Sequence, residues 1–239
     1  MSNKIAGKDV QVFVGGYDLT GDHNRITLED RRNTYDVTAF SDEVRQFIVG
    51  PRQTRLTHEG YLNPAASRSH PVLKAVDVGG IVSVLVGDNN RAYSLPVRQG
   101  RYRSMPKVGN YVPFTAAFAT RGEPGGWGYA LREPDDFTSG FTEISVDTAS
   151  MTGNGGAAFL HLLTAAASDT CVFTVEGSTT GAFAGEETVL ATFSMNGSAV
   201  GSERVAISST LPQYARAKAV RTGAAGDVMN VAITLVRFE

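Results

Sequence analysis

Four histidines, one cysteine and a few adjacent acids are the groups that could do chemistry in this chain of 239 residues. An imidazole metal centre needs ligands at short, regular spacing. His23, His58, His70 and His161 are scattered, and the neighbours His58 and Glu59 point to opposite faces of a strand. Cys171 has no activating partner nearby in sequence and opens an apolar strand, so a buried, inert thiol is expected. Gly153-Asn154-Gly155-Gly156 has the composition of a phosphate cradle, but a cradle needs a helix after the loop, and residues 157–164 read better as a strand. No Gly-x-Ser-x-Gly elbow and no Gly-Lys-Ser/Thr phosphate loop occurs. Asp135-Asp136 and Glu186-Glu187 sit in loop-like surroundings and read as solvated acids rather than a general acid and base. Arg98, Arg101, Arg103 and Lys107 interleave with Tyr102 and Tyr111, a composition that suits single-stranded nucleic acid. On a strand, however, Arg101 and Arg103 would share one face with Gln99 and leave Tyr102 opposite. That is an exposed basic strand or a subunit contact, not a stacking platform. The expectation is a protein that is not an enzyme and has neither cofactor nor metal.

Composition narrows the class further. One cysteine permits no internal disulfide, and no apolar run approaches the roughly 18 residues of a membrane span. Met1-Ser2-Asn3-Lys4 leads into no signal-peptide core. The net charge of −2 conceals a split: residues 1–132 hold 17 Lys+Arg against 12 Asp+Glu (+5), and residues 133–239 hold 5 against 12 (−7). A change of sign near the middle suggests two units with different surroundings. Gly122, Pro124, Gly125, Gly126, Gly128, Pro134 and Gly140 mark a boundary there, within which Trp127, Tyr129 and Leu131 alternate like a short strand. The expected division is an assembly domain over 1–132, a linker over 133–140 and a second domain over 141–239.

The elements are mainly β. Val10, Val12 and Val14 alternate before a Gly15-Gly16 turn, Ile26 and Leu28 mark a second strand, and 53–62 a third, with Leu56, His58, Gly60 and Leu62 on one face. Strands are expected at 81–86, 92–102 and 111–120, with Asp88-Asn89-Asn90 as a turn cluster. A short helix is predicted over 67–78, capped by Ser67 or Ser69 and stopped at Gly79-Gly80. In the second half, 157–164 fits neither period well and is read as a strand bounded by Gly155-Gly156 and Ser168-Asp169. Further strands at 172–176, 188–193, 204–207, 214–220 and 228–238 argue a β-sandwich, of jelly-roll or immunoglobulin-like type. The fold class is all-β with one short helix.

The most informative stretch is 29–51. It is rich in both charge signs, lies between two strands, and carries β-formers that no local core needs. Two readings stand: an arm that adds strands or ion pairs to a neighbouring subunit, or an extra hairpin of the same domain. On the arm reading the contact residues are Arg31, Arg32, Tyr35, Asp36, Asp42, Glu43, Arg45 and Phe47.

Several segments in order resemble the major tail tube proteins of long-tailed, siphovirus-like bacteriophages. They are Gly16-Tyr17-Asp18-Leu19-Thr20, Arg32-Asn33-Thr34-Tyr35-Asp36-Val37-Thr38-Ala39-Phe40-Ser41-Asp42, Phe47-Ile48-Val49-Gly50-Pro51-Arg52 and Leu56-Thr57-His58-Glu59-Gly60-Tyr61. The resemblance covers roughly residues 5–120, and the second half resembles the extra sandwich domains some of these proteins carry outside the tube. It implies a β-sandwich or half-barrel with a flanking helix, six copies closing into a ring, and rings stacking into a tube through which viral double-stranded DNA passes during ejection without specific binding. It implies a virion location, no membrane, and as partners other copies of the chain, a tape-measure protein, a tail terminator and baseplate proteins. The alternative is a carbohydrate-binding, host-attachment or decoration module of a virion, with Phe137, Phe141, Phe183 and Tyr214 available in the second half.

Overall fold

The computed structural model describes residues 7–76, 79–87, 90–149, 151–166, 170–222 and 226–238. The expected helix end at 77–78, the turn residues Asp88 and Asn89, and the Ser168-Asp169 boundary lie outside the described residues. The chain is nearly all β. Its first half comprises β1 (Val10–Val14), β2 (Tyr17–Asp18), β3 (His23–Asp36), β4 (Phe47–Tyr61), a helix α1 (Ser69–Leu73), β5 (Gly79–Val86), β6 (Arg91–Ser104) and β7 (Pro113–Thr120). These strands pair antiparallel in the order β3-β4-β7-β6-β5-β1-β2 and curl into a half-barrel. Alternation does the folding: Leu56, Val84, Leu95, Phe114 and Phe118 turn into one core with Val12 and Leu19.

The helix is shorter than the sequence suggests, and its start is set by a cap from far along the chain. The buried Asp22 carboxylate accepts the Ser69 backbone N–H at 2.9 Å and Asn63 Nδ2 at 2.9 Å, so neither serine hydroxyl caps the helix. The Ser69 hydroxyl instead donates to the Tyr61 carbonyl at 3.2 Å. Leu73 is fully buried under the half-barrel, which holds a helix too short to survive by itself.

The second half adds β8 (Gly126–Phe137), β9 (Phe141–Thr142), β10 (Val146–Asp147), β11 (Gly156–Thr164), β12 (Thr170–Ser178), β13 (Thr188–Thr192), β14 (Gly201–Ile207), β15 (Tyr214–Thr222) and β16 (Met229–Arg237). Residues 133–137, expected to be linker, are strand. β8 pairs with β6 through 126–129 and with β16 over most of its length, so one sheet of order β14-β11-β16-β8-β6-β5-β1-β2 crosses the middle of the chain. Its glycines and proline are not breakers here. A Cβ on Gly128 would overlap the Leu235 carbonyl, and Pro134 falls where the register shifts between Val231 and Ile233, so its missing N–H interrupts no ladder bond. A second sheet, β10-β15-β12-β13 with β9 beside β15, packs on β11 and β16.

The central pair β11 and β16 is dry on both faces. Leu160, Leu162, Ile233 and Leu235 face Phe173 and Val175 of the second sheet. Phe159, Ala157 and Val236 face the other way, packing with Ile81, while Ala232 meets Phe13 and Leu85. That explains why 157–164 shows no alternation: a strand buried on two sides has no polar face. A polar relay crosses the inner layer. His161 Nε2 lies 2.8 Å from Ser83 Oγ, Ser83 Oγ 2.8 Å from Ser94 Oγ, and Ser94 Oγ 2.6 Å from Thr234 Oγ1, all four residues fully buried. The two ends of the long sheet also meet: Gly16 (φ +89°) touches Gly201, and any Cβ there would overlap the Gly201 backbone.

Burial holds the imidazoles of His58 and His161 down to about 3 each. Below the ordinary histidine value near 6.5 the unfolded chain takes up protons that the native state refuses, so their contribution is to lower stability as pH falls from about 6.5 toward 3. Above that window they leave stability unchanged. Urea unfolding at pH 7.5, 5.5 and 4.5 should show this decline, and His161→Gln should reduce the slope by about one proton. An unchanged slope in that variant would remove His161 from the account.

Candidate assembly surface

β3 and β4 pair from His23 opposite Gly60 out to Asp36 opposite Phe47, whereas β7 covers β4 only from Arg55 to Tyr61. Beyond Arg55, residues 29–36 and 47–54 form a two-stranded ribbon with no third strand among the described residues. Eight residues of strand project it by about 26 Å. Its root is stiffened by ion pairing. Arg52 Nε donates to both oxygens of Asp30, at 2.7 and 2.8 Å, and Thr54 Oγ1 donates to Asp30 at 3.2 Å. The Arg52 hydrogen bonds hold the Asp30 carboxyl below the usual carboxylate range. Arg31 and Glu29 approach within 3.4 Å beside it.

Halfway along, the register shifts between Arg32 and Thr34, so Gly50-Pro51 forms a bulge opposite Asn33. The Tyr35 ring covers Gly50, where a Cβ would come within 2.8 Å of Tyr35 Cε2. At the tip, Asp36 accepts the Thr38 N–H at 3.0 Å and the Thr38 hydroxyl, and the Thr38 hydroxyl oxygen accepts the Gln46 N–H at 2.9 Å. Asp42 accepts the Ala39 N–H at 2.8 Å. The spaced acids of the Asp36–Asp42 motif thus shape the turn, and between them Phe40 stands fully exposed.

Of the eight arm residues expected to make contacts, Arg31, Arg32, Tyr35, Asp36, Glu43, Arg45 and Phe47 are exposed and Asp42 is half-buried, with Asp36 and Asp42 also bracing the tip through hydrogen bonds. Phe40, Val44, Ile48 and Val49 complete the apolar surface and lie outside that expected set. The available signal was their apolar character in a segment with no local core.

The opposite end of the half-barrel carries a second exposed cluster. Tyr61 and Tyr111 pair with ring centroids 5.6 Å apart, and Met105 and Val108 are exposed beside Arg101, Arg103 and Lys107. The expected sharing of a face by Gln99, Arg101 and Arg103 is incorrect. A bulge between Gln99 and Arg101 reverses the alternation, so Gln99 turns inward to donate to the Leu73 carbonyl at 2.6 Å while both arginines face solvent. The two clusters lie at the two ends of β4, about 50 Å apart by strand rise. Their charges are opposite: Asp36, Asp42 and Glu43 against Arg45 give −2, and Arg101, Arg103 and Lys107 give +3.

The remaining candidates are structural. Burial raises the Cys171 thiol to about 11. Glu186 accepts the Ser178, Thr179 and Thr180 hydroxyls and so closes its loop; the Ser178 hydrogen bond is the chief cause that lowers its carboxyl to about 2. Asp136 accepts Asn230 Nδ2 at 2.7 Å. His23 and His58 pack edge to face 6.0 Å apart, and no group of three or more His, Cys, Asp or Glu among the described residues could hold a metal ion. Gly155 leads into β11 rather than a helix. Phe137 and Phe183 are buried, Phe141 lies under Arg132 at 3.9 Å and Tyr214 packs over Gly181, so these four aromatics do not form the exposed platform that glycan binding through them required. No helix among the described residues is long and apolar enough to cross a membrane.

No protein-family model and no curated protein sequence matches the chain. Among solved structures, a chain of the virion of a native gene transfer agent particle is similar over 52% of this chain and 98% of its own, with 14% identity and a TM-score of 0.43. A chain from the tail of an empty gene transfer agent particle with C6 symmetry is similar over 53% and 98%, with 16% identity and a TM-score of 0.40. The Dit protein of SPP1, a hub of the adsorption apparatus in phages infecting Gram-positive bacteria, is similar over 96% and 99%, with 10% identity and a TM-score of 0.33.

Phe40 and Ile48 on the ribbon are exposed and belong to no buried cluster among the described residues, which makes a clear contrast with the core. Phe40→Ser combined with Ile48→Thr should leave the melting temperature within about 2 °C of wild type, since surface changes away from special features stay within roughly 0.5 kcal/mol. Leu56→Ala should cost about 2–5 kcal/mol by thermal or urea unfolding.

Proposed function

We propose that this chain is a non-catalytic structural subunit of a phage virion that polymerises head to tail into the tail tube. The observation that carries the reading is the pair of exposed apolar clusters of opposite charge at the two ends of β4. Two complementary ends on one molecule can be met head to tail, each copy's arm on the far end of the next, and a head-to-tail contact whose rotation does not close builds a filament. The arm tip of one copy, with Phe40, Val44, Glu43 and Arg45, meets the Tyr61–Tyr111 end of the next, with Arg101, Arg103 and Lys107. Within a ring, the outer edge of β3, which pairs only with β4 among the described strands, offers backbone groups to a neighbour. Six-fold closure, the DNA-conducting lumen, the virion location and the tape-measure, terminator and baseplate partners rest on the resemblance of residues 5–120 to tail tube proteins. So does the division into an assembling unit over 1–132 and an outward one over 141–239.

Electron microscopy of the purified protein should show rings or tubes with six-fold cross-section. Lys107→Glu should raise the concentration needed for assembly at least tenfold, and adding Glu43→Lys should restore it, with circular dichroism unchanged throughout. A monomer at high concentration in every condition, or a block that the second change does not relieve, would refute the head-to-tail contact.

A further inference from the structure

The sheet formed by β3, β4, β7 and β6 has one dry face and one wet one. Leu56, Phe114 and Phe118 turn inward with Leu73 of α1, so the alternate residues face solvent on the other side. Directly opposed residues share a face. Thr57, Ala117 and Arg101 therefore form one row across three strands, with Arg55 and Ala119 in the row above and Thr115 and Arg103 in the row below. β7 contributes small side chains here, while arginines stand on both sides of it. The bulge at Gly100 opens the middle of this face into a groove of about 330 Å³, lined by Thr27, Glu29, Arg55, Thr57, Ala117 and Ala119 among others. A Cβ on Gly100 would meet nothing within 4 Å, so the groove is open at that wall. The two acids of the face are already engaged: Glu29 lies 3.4 Å from Arg31, and Glu59 3.8 Å from Arg25. Arg55, Arg101 and Arg103 are exposed and form no ion pair among the described residues.

We infer that this groove binds the sugar–phosphate backbone of duplex DNA without reading its sequence. Each unpaired guanidinium carries a full charge and a fork of N–H donors that matches phosphate oxygens. Arg101 and Arg103, two residues apart on β6, are separated by about 6.8 Å of strand, the axial length of two nucleotide steps. Arg55 stands across β7 from them, roughly 10 Å away by strand spacing. A phosphate backbone laid over the alanines and threonines thus has cationic walls on both sides. An acidic protein partner would need an apolar or aromatic anchor at the centre of the contact. The floor offers none, since Phe118 beneath it is only 3% exposed. A single strand needs rings on which its bases stack. Tyr102, the aromatic between the two arginines, turns to the other face, where its hydroxyl lies 3.0 Å from His70 Nδ1. Contacts from arginine to phosphate position a duplex and carry no sequence information. The groove is complete within one copy, so the inference does not rest on polymerisation, and Arg55 lies outside the head-to-tail contact.

The full chain, as wild type and as Lys107→Glu, is titrated against labelled duplexes of two unrelated sequences while fluorescence anisotropy is followed. Both duplexes should bind alike, and three phosphate contacts give a slope of about −2.7 in log K against log salt, roughly a fortyfold loss between about 50 and about 200 mM NaCl. Arg55→Gln and, separately, Arg101→Gln should each flatten that slope by about 0.9 with unchanged circular dichroism, so that one variant still reports if the other misfolds. Arg68→Gln removes the same charge beside α1, on the opposite side of the sheet, and should leave the slope as it was. The inference is overturned by an absence of binding at low salt, by a slope indifferent to both groove substitutions, or by an equal loss in Arg68→Gln, which would reduce the effect to net charge. Tighter binding of a single strand of equal length would point instead to stacking on Tyr61 and Tyr111, and tighter binding of polyglutamate to an acidic protein; either overturns it. So does binding by wild type that disappears in Lys107→Glu, because the contact would then exist only in the polymer. If Lys107→Glu still forms tubes and still binds the duplex, the head-to-tail contact fails while the groove stands.

Discussion

A strand pair that is dry on both faces cannot stand at the surface of anything. β11 and β16 bury Leu160 and Ile233 on one side and Phe159 and Val236 on the other, so layers must exist on both sides of them. One layer is the second sheet of the C-terminal half; the other is the β5–β1 face of the half-barrel. The body is therefore three layers deep, two of them folded from one continuous sheet, and its middle layer belongs to residues far along the chain from those it supports. The relay from His161 through Ser83 and Ser94 to Thr234 then fixes the lateral register of the inner pair, since a shift of one residue would strand four buried polar groups.

That rigidity gives the arm its meaning. A two-stranded ribbon in water is marginal unless something anchors it. Here the inner half of β4 is clamped between β3 and β7, and Asp30, Arg52 and Thr54 lock the point where the third strand ends. The ribbon leaves a stiff body in a defined direction, and its internal hydrogen bonds are satisfied at the tip by Asp36, Thr38 and Asp42. What is left without a partner in the chain is apolar surface, and apolar surface concentrated at the end of a directed arm is surface for something else.

Much of this was legible in the residues. Alternation located most strands, and the inward set Leu56, His58, Gly60 on β4 was correctly placed. The arm could be seen because its β-formers had no local core to serve. Three things could not be seen, each for a physical reason. Gly126, Gly128 and Pro134 read as breakers because sequence does not show the backbone pressing against Gly128 or the bulge that excuses Pro134. Gly100 inverted the faces of Arg101 and Arg103, since one extra residue shifts a period of two. The cap of α1 came from Asp22, 47 residues from Ser69, a distance no local pattern records.

The meeting of Gly16 with Gly201, and of Ser94 with Thr234 across 140 residues, also orders events in time. Long-range pairings of this kind form late and slowly. During synthesis the first half emerges with Phe13, Ile81 and Leu85 uncovered, and the strands that cover them, β8, β11 and β16, arrive later, the last of them at 229–237. The half-barrel thus acquires its finished shape when the last strand docks. A ribosome-bound chain carries an arm but not yet a completed body to project it from, and the two maturation steps are tied by topology alone.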